Sequence, residues 1–313
     1  MSRKPVALPR QVHVFVRDWL SSNNVLLKSV DGDVLIDSGY VAHAPLTLAL
    51  LATPRALGPD PLAKLVNTHC HSDHMGGNAA IKSRYGCPIA VPEGEVPLID
   101  GWEEQTLLLA YADQRADRFR YDEILKPGTS YVWGDLEWRA LAAPGHDMGA
   151  VVFYNPEHGI LISGDALWEN GYGFVMPPEI DPHALPATRA TIEMLARLDI
   201  RVVIPGHGEP FSEVGAALER AHSRTTAFET DSQRLARHAL KVVLSFALLD
   251  RRRLALAELP DYVARVGIYR DFNAQFFRLP PPELAHWLVS ELERAGAARR
   301  AEGWLVPVGA GVE

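Results

Sequence analysis

Apolar residues in this chain fall first into short runs of strand length and later into long stretches of helical spacing. Val12–Val16, Asn24–Leu27 and Asp33–Asp37 are short β-type runs, and Val30-Asp31-Gly32-Asp33 supplies turn chemistry between the last two, predicting a hairpin. Thr47–Ala56 reads as a helix stopping near Gly58-Pro59, Leu62–Val66 as a buried strand, and Pro88–Val91 as a further strand. Residues 97–126 break the rhythm. There Trp102–Tyr111 and its continuation read as one or two helices rich in aromatics and acids, either a pocket wall or a plain connector. Strand signals return at Tyr131–Trp133, Leu136–Leu141, Ala150–Tyr154 and Ile160–Ile162. A helix follows at Pro186–Leu198, with Ile192, Leu195 and Ala196 at helical spacing, then a strand at Arg201–Ile204. After about residue 215 the pattern turns helical: Val214–Leu256, Leu259–Val266 and Pro281–Ala298, closed by a short strand in Gly303–Val308. The expectation is an α/β unit over 1–215 and a mainly helical one over 216–313.

Composition adds limits. At 313 residues, 47% hydrophobic and 22% charged, the chain has the make-up of a soluble globular protein. No run approaches the roughly 18–20 apolar residues of a membrane span. Met1–Arg10 holds basic residues with no apolar segment behind them, against a secretory signal. Two cysteines, Cys70 and Cys87, build no disulfide framework and fit a reducing cytosol, so a cytoplasmic location is expected. The formal charge of −8 is uneven, for residues 221–313 carry 13 Lys and Arg against 11 Asp and Glu while the rest carries 18 against 28. An acidic body repels polyanions, which weighs against a nucleic-acid partner.

The chemistry concentrates in His69-Cys70-His71-Ser72-Asp73-His74, three imidazoles and a carboxylate within six residues. These are ligands that borderline transition metals accept, and packing them together has no use in an apolar core. The run follows the Leu62–Val66 strand and leads into Met75–Ile81, a turn opening a helix, so it sits at the C-terminal edge of a strand. Three later segments share one grammar of apolar strand, Gly turn and ligand-type residue: Pro144-Gly145-His146, Ser163-Gly164-Asp165 and Pro205-Gly206-His207. Seven candidate ligands suit two metals. Cys70, between two of them, is expected to turn away and be buried by strand alternation.

With the run at 69–74, His146, Asp165 and His207 in place, the chain resembles the metallo-β-lactamase superfamily of hydrolases over about residues 11–215. The resemblance implies a four-layer αββα sandwich with its site at one edge of two sheets. It implies that His69, His71 and His146 hold one metal, that Asp73, His74 and His207 hold a second, and that Asp165 bridges them. Two divalent ions are implied, zinc first, with iron or manganese as alternatives. A bridging aspartate resembles glyoxalase II, the acyl-homoserine lactonases and related esterases rather than the exported antibiotic-destroying enzymes. Trp168 stands where the lactonases carry a tyrosine, with Tyr172 further on as a substitute. The helical tail lies outside this likeness. Its helices and terminal strands resemble a winged-helix module, for which, lacking a clear basic recognition helix, a structural or homodimerising role is expected.

The implied reaction is hydrolysis of a small ester, lactone or thioester. Two ions bring the pKa of a shared water from about 15.7 to near 7, giving a bridging hydroxide that attacks the carbonyl. Asp73 would orient it and Asp165 would draw the ions together, making these the catalytic carboxylates. Trp102, Trp168, Tyr172, Phe174 and Met176 are candidates for an apolar pocket. Two other readings stay open: a mononuclear iron oxidoreductase resembling persulfide dioxygenases, on His69-Cys70-His71, and a nucleic-acid-processing phosphodiesterase with the tail as binding module.

Overall fold

Side-chain alternation along each strand divides the apolar residues between two faces, and both faces are covered. The structure is a computed structural model that describes residues 6–308; Met1–Pro5 of the basic N-terminal stretch and residues 309–313 lie outside the described residues. Strands β1 (Val12–Phe15), β2 (Asn24–Leu27), β3 (Asp33–Ile36), β4 (Leu62–Val66), β5 (Ile89–Pro92) and β6 (Glu123–Leu125) form one sheet in that order. It is antiparallel up to β3 and parallel from there on. Strands β7 (Ser130–Trp133), β8 (Leu136–Ala142), β9 (Val151–Asn155), β10 (Ile160–Gly164) and β11 (Val202–Pro205) form the second, antiparallel except for the last pair.

Val25, Leu27, Val34 and Ile36 face inward, onto Trp138, Phe153 and Ile162 of the second sheet. Leu26 and Leu35 face outward, under helices α1 (Ala44–Leu51), α2 (Ser72–Met75) and α3 (Asn78–Tyr85), through Leu51, Met75 and Ile81. On the far side α5 (Ala184–Leu195) and α6 (Val214–Thr230) cover Val152, Leu161 and Val203 with Ile192, Leu195, Ala217 and Ala221. The short helix α4 (Val96–Gly101) packs beside the first sheet through Ile99. These are the four layers of an αββα sandwich.

Residues 97–126 depart from the helical expectation. α4 ends at Gly101, and Trp102, Leu108 and Asp113 all have left-handed φ, which interrupts any continuous helix. Leu107 and Leu109 turn into the outer core of the first sheet, while Leu108 and Ala112 turn the other way into the core of the tail. The segment then ends as β6, the sheet's edge strand. An apolar run shared between two cores imitates a helix in one dimension.

The tail comprises α7 (Ser232–Arg251), α8 (Leu259–Arg265), α9 (Gly267–Phe272) and α10 (Pro281–Arg294) with strands β12 (Leu254–Ala255), β13 (Ala298–Ala301) and β14 (Trp304–Pro307), ordered β12-β14-β13. The expected long helix from Val214 is two helices. They meet at Asp231, in non-helical backbone, whose carboxylate caps α7 by accepting from the Arg234 N–H at 2.8 Å. The last helix stops at Arg294, and Ala298 already belongs to a hairpin. Along α10 Glu283, Glu291 and Glu293 stand against Arg294 alone, a charge set that repels phosphate. Among the described residues no helix is long and apolar enough to cross a membrane.

Candidate metal centre

Strand β4 carries the dense run to the sheet edge, and the single turn of α2 holds Asp73 and His74 there. The second sheet delivers the rest: His146 from the loop after β8, Asp165 from the end of β10 and His207 from the end of β11. Ligand atoms of His69, His71 and His146 form one set and those of Asp73, His74, Asp165 and His207 another, each set lying within 4.8 Å of one another. Asp165 spans the two. Its Oδ2 lies 3.4 Å from His146 Nε2, and its Oδ1 lies 3.3 Å from His74 Nε2 and 3.8 Å from His207 Nε2.

The donor set fits metal ions. His69 Nε2, His74 Nε2 and His207 Nδ1 are buried without a hydrogen-bond partner, a state that buried polar atoms avoid unless something else takes the lone pair. Five imidazoles and two carboxylates suit zinc, iron or manganese. The nitrogens facing away from the cluster are held in turn. His74 Nδ1 donates to Asp37 Oδ2 at 2.8 Å, and His69 Nδ1 donates to Thr68 Oγ1 at 3.1 Å. That hydroxyl donates to the same Asp37 oxygen at 2.8 Å. His146 Nδ1 donates to the Phe174 carbonyl, and His71 Nε2 faces Asp147 Oδ2 at 3.5 Å. Outer partners of this kind fix the tautomer and aim the other ring nitrogen at a metal. Behind Asp147 lies the fully buried Glu95, whose carboxyl is pushed well above its usual range by burial and by the Asp147 charge.

Charge is set by the same packing. Burial, then the neighbouring His146, pushes His71 down to about 4. Burial, then His74, holds His69 well below its ordinary value. Both rings are therefore neutral at neutral pH, as ligands must be. Burial opposes the charged form of His74, but the carboxylates of Asp165, Asp37 and Asp73 outweigh it and hold the ring well above its ordinary value. Burial likewise opposes ionisation of Asp165, yet His74 and His207 keep its carboxyl well below the usual range.

Gly206 is required by contact. A Cβ there would collide with Asp165 Oδ1 and lie 2.9 Å from His74 Cε1. Gly206→Ala is expected to weaken metal binding by at least about 10-fold, the lower end of what disturbing a ligand's support does. A metal titration beside a far-ultraviolet dichroism spectrum checks this, the spectrum remaining that of the parent.

Around the cluster the pocket is walled by Trp19, Leu108, Trp168 and Phe174, with Gln114 as a polar member. Val242 and Phe246 of α7 complete the wall. Trp168 and Phe174 were legible in the sequence. Trp19, Gln114, Val242 and Phe246 were not, because no local motif marks a residue whose only qualification is where the fold puts it. Trp168 Nε1 donates to Asp165 Oδ1 at 3.1 Å. Trp19 stacks on His207, ring centroids 5.0 Å apart and planes at 17°. Ser72 Oγ donates to Gln114 Oε1, tying the pocket wall to the metal run.

The other pocket candidates stand elsewhere. Tyr172 is buried in the core of the second sheet, its hydroxyl 2.9 Å from Thr225 Oγ1 of α6, so it does not stand in for the lactonase tyrosine. Met176 is wedged between that core and the tail's core. Trp102 packs edge-on against Phe119, centroids 6.2 Å apart, on the outer face of the first sheet. Cys70 is fully buried in that same outer core and is not among the clustered ligand residues; it lies beyond the end of β4, so its burial comes from the turn rather than from strand alternation.

Known proteins give the same outline. A hydroxyacylglutathione hydrolase of Bdellovibrio bacteriovorus is 30% identical over 36% of this chain and 37% of its own length, so the chain spans little more than a third of that relative. The acyl-coenzyme A thioesterase MBLAC2 of Gallus gallus is 27% identical over 61% of this chain and 73% of its own. A solved metallo-beta-lactamase family protein from Thermus thermophilus superposes with a TM-score of 0.59 at 21% identity, over 96% of this chain and all 100% of that one. The metallo-beta-lactamase superfamily pattern matches residues 17–207, taking in all seven ligand-type residues. The chain belongs to the metallo-beta-lactamase superfamily.

Proposed function

We propose that this protein is a dinuclear metal-dependent hydrolase of a small ester, thioester or lactone. In this reading His69, His71 and His146 hold one divalent ion, Asp73, His74 and His207 a second, and Asp165 belongs to both. Bound there, the ions would supply an activated water and a Lewis acid for the carbonyl oxygen. The chain does the rest. Asp73 and Asp165 bring the negative charge that offsets the ions, Asp37, Thr68 and Asp147 keep the imidazoles aimed, and the aromatic wall limits water.

The observation that carries this reading is the span of Asp165, one carboxylate oxygen towards each ligand set. The thioester arm is supported by a relative named as an acyl-coenzyme A thioesterase, beside one named as a hydroxyacylglutathione hydrolase. We further propose a catalytic unit over 1–215, against which α6 packs, and a helical unit over 216–313 that serves as its wall rather than as a nucleic-acid module.

One sample decides the matter: esters, thioesters, lactones and phosphodiesters assayed together with metal content and oxygen uptake. Two ions per chain, carbonyl hydrolysis and no oxygen uptake are expected. One iron with oxygen uptake, or phosphodiester cleavage alone, would sink the reading.

A further inference from the structure

The apolar wall of the pocket is built around one half-exposed indole. Trp19 is 51% exposed although it sits inside an aromatic group, with one face stacked on His207. Trp168 meets it edge-on at 5.3 Å and Phe246 edge-on at 6.4 Å. Leu108 and Val242 extend the same surface across to the tail. A tryptophan held in a fixed orientation by two edge-on rings, and still half open, offers a rigid flat surface that an aromatic group covers at little entropic loss.

Charge at this surface points the same way. No lysine or arginine is among the described residues lining the pocket. Three of the four cations nearest in sequence to the wall are paired with acids. Arg115 pairs with Asp250 at 2.6 Å, Arg251 with Asp113 at 2.5 Å and Lys241 with Glu291 at 3.3 Å, while Arg17 bonds the neutral side chains of Asn24 and Thr47 and is not among the lining residues. With one carboxylate of a probe taken by the ions, a second anionic group on the acyl side would face this wall with no lysine or arginine among the described lining residues.

We infer that Trp19, with Val242 and Phe246 of the tail helix α7, forms a seat for a flat, uncharged, apolar acyl group next to the scissile carbonyl. The inference rests on the hydrolase reading and adds its substrate class: arylacyl or comparably apolar acyl esters and thioesters, not dicarboxylic acyl groups. It also gives the tail a task, since two of the three seat residues come from beyond residue 231.

Two readouts test it on the metal-loaded full chain. The first is binding, followed by tryptophan fluorescence with phenylacetate, acetate and glutarate as probes. Phenylacetate is expected to bind at least about 10-fold more tightly than either, from the apolar area a phenyl ring buries. Trp19→Ala should lower that preference at least about 5-fold, and Trp19→Phe, which keeps a ring, should restore most of it. The second is the ratio of kcat/KM for phenylacetyl against acetyl thioesters of one thiol, expected to follow the same order, with metal content measured on every variant. Equal binding of the three acids, or a preference unmoved in Trp19→Ala with metals retained, overturns the seat. Intact binding preference without hydrolysis of any ester overturns the hydrolase reading and leaves the seat standing.

Discussion

Asp165→Ala is expected to lower kcat/KM by at least about 10³-fold, beyond the roughly 10²–10³ that loss of one preorganised electrostatic group produces. The reason is that this carboxylate does not serve one site. Its two oxygens face His146 on one side and His74 and His207 on the other, at 3.3–3.8 Å. On the two-ion reading proposed above, removing it would leave two cation sites with no shared anion and separate the groups meant to act on one carbonyl. It also removes the acceptor of the Trp168 indole, freeing a wall of the pocket. Metal content should fall below that of the parent, and the residual activity should not recover when metal is added in excess. Tyr172→Phe is the companion. It breaks only a hydrogen bond to Thr225 in the core, so activity should stay within about 2-fold and stability should drop by about 1 kcal/mol. A Tyr172→Phe protein as inactive as Asp165→Ala would place the tyrosine in the reaction and overturn this assignment.

Removing metal should be felt through the whole fold. The cluster joins the two sheets, since its ligands come from β4 and α2 on one side and from the ends of β8, β10 and β11 on the other. Without ions, seven polar side chains, six of them buried and His146 partly so, face one another across that seam, three nitrogens among them without a partner. An ion present at a thousandfold above its Kd stabilises the folded state by about 4 kcal/mol per site. A chain of this size gains about 2 °C in Tm per kcal/mol, so two sites correspond to roughly 15 °C. Calorimetry before and after chelation, then after adding zinc back, checks this. A Tm unchanged by chelation, with metal loss verified, would show that the cluster holds no stabilising ions.

How much of this could be read from the chain depended on whether the signal was local. The seven ligand-type residues each end a strand beside a glycine or sit in one dense run, so their grammar survives in one dimension. Strands facing two cores were legible for the same reason, as in Val25, Leu26 and Leu27 alternating between the inner and outer layers. Residues 97–126 were misread because Leu107, Leu108 and Leu109 belong to different cores, which no periodicity encodes. The break at Asp231 is hidden in the sequence because a single capping aspartate in a helical pattern looks like any surface acid. Trp19 and Phe246 were out of reach, lying far apart in sequence and meeting only across the pocket.

The pairing of loop 113–115 with the end of α7 has a consequence for how such a protein can change. Asp113 and Arg115 are tied to Arg251 and Asp250, and between them Gln114 is tied to Ser72, next to His71. Ligands and wall are thus encoded in separate stretches yet held in one mechanical register. On the proposed reading, substitutions on α7 reshape what the pocket admits without replacing any of the seven ligand-type residues. A library restricted to Val242, Phe246 and their neighbours therefore samples selectivity with the ligand set intact, and the metal content of each variant shows how far the contact from Phe246 through Trp19 to His207 carries the change.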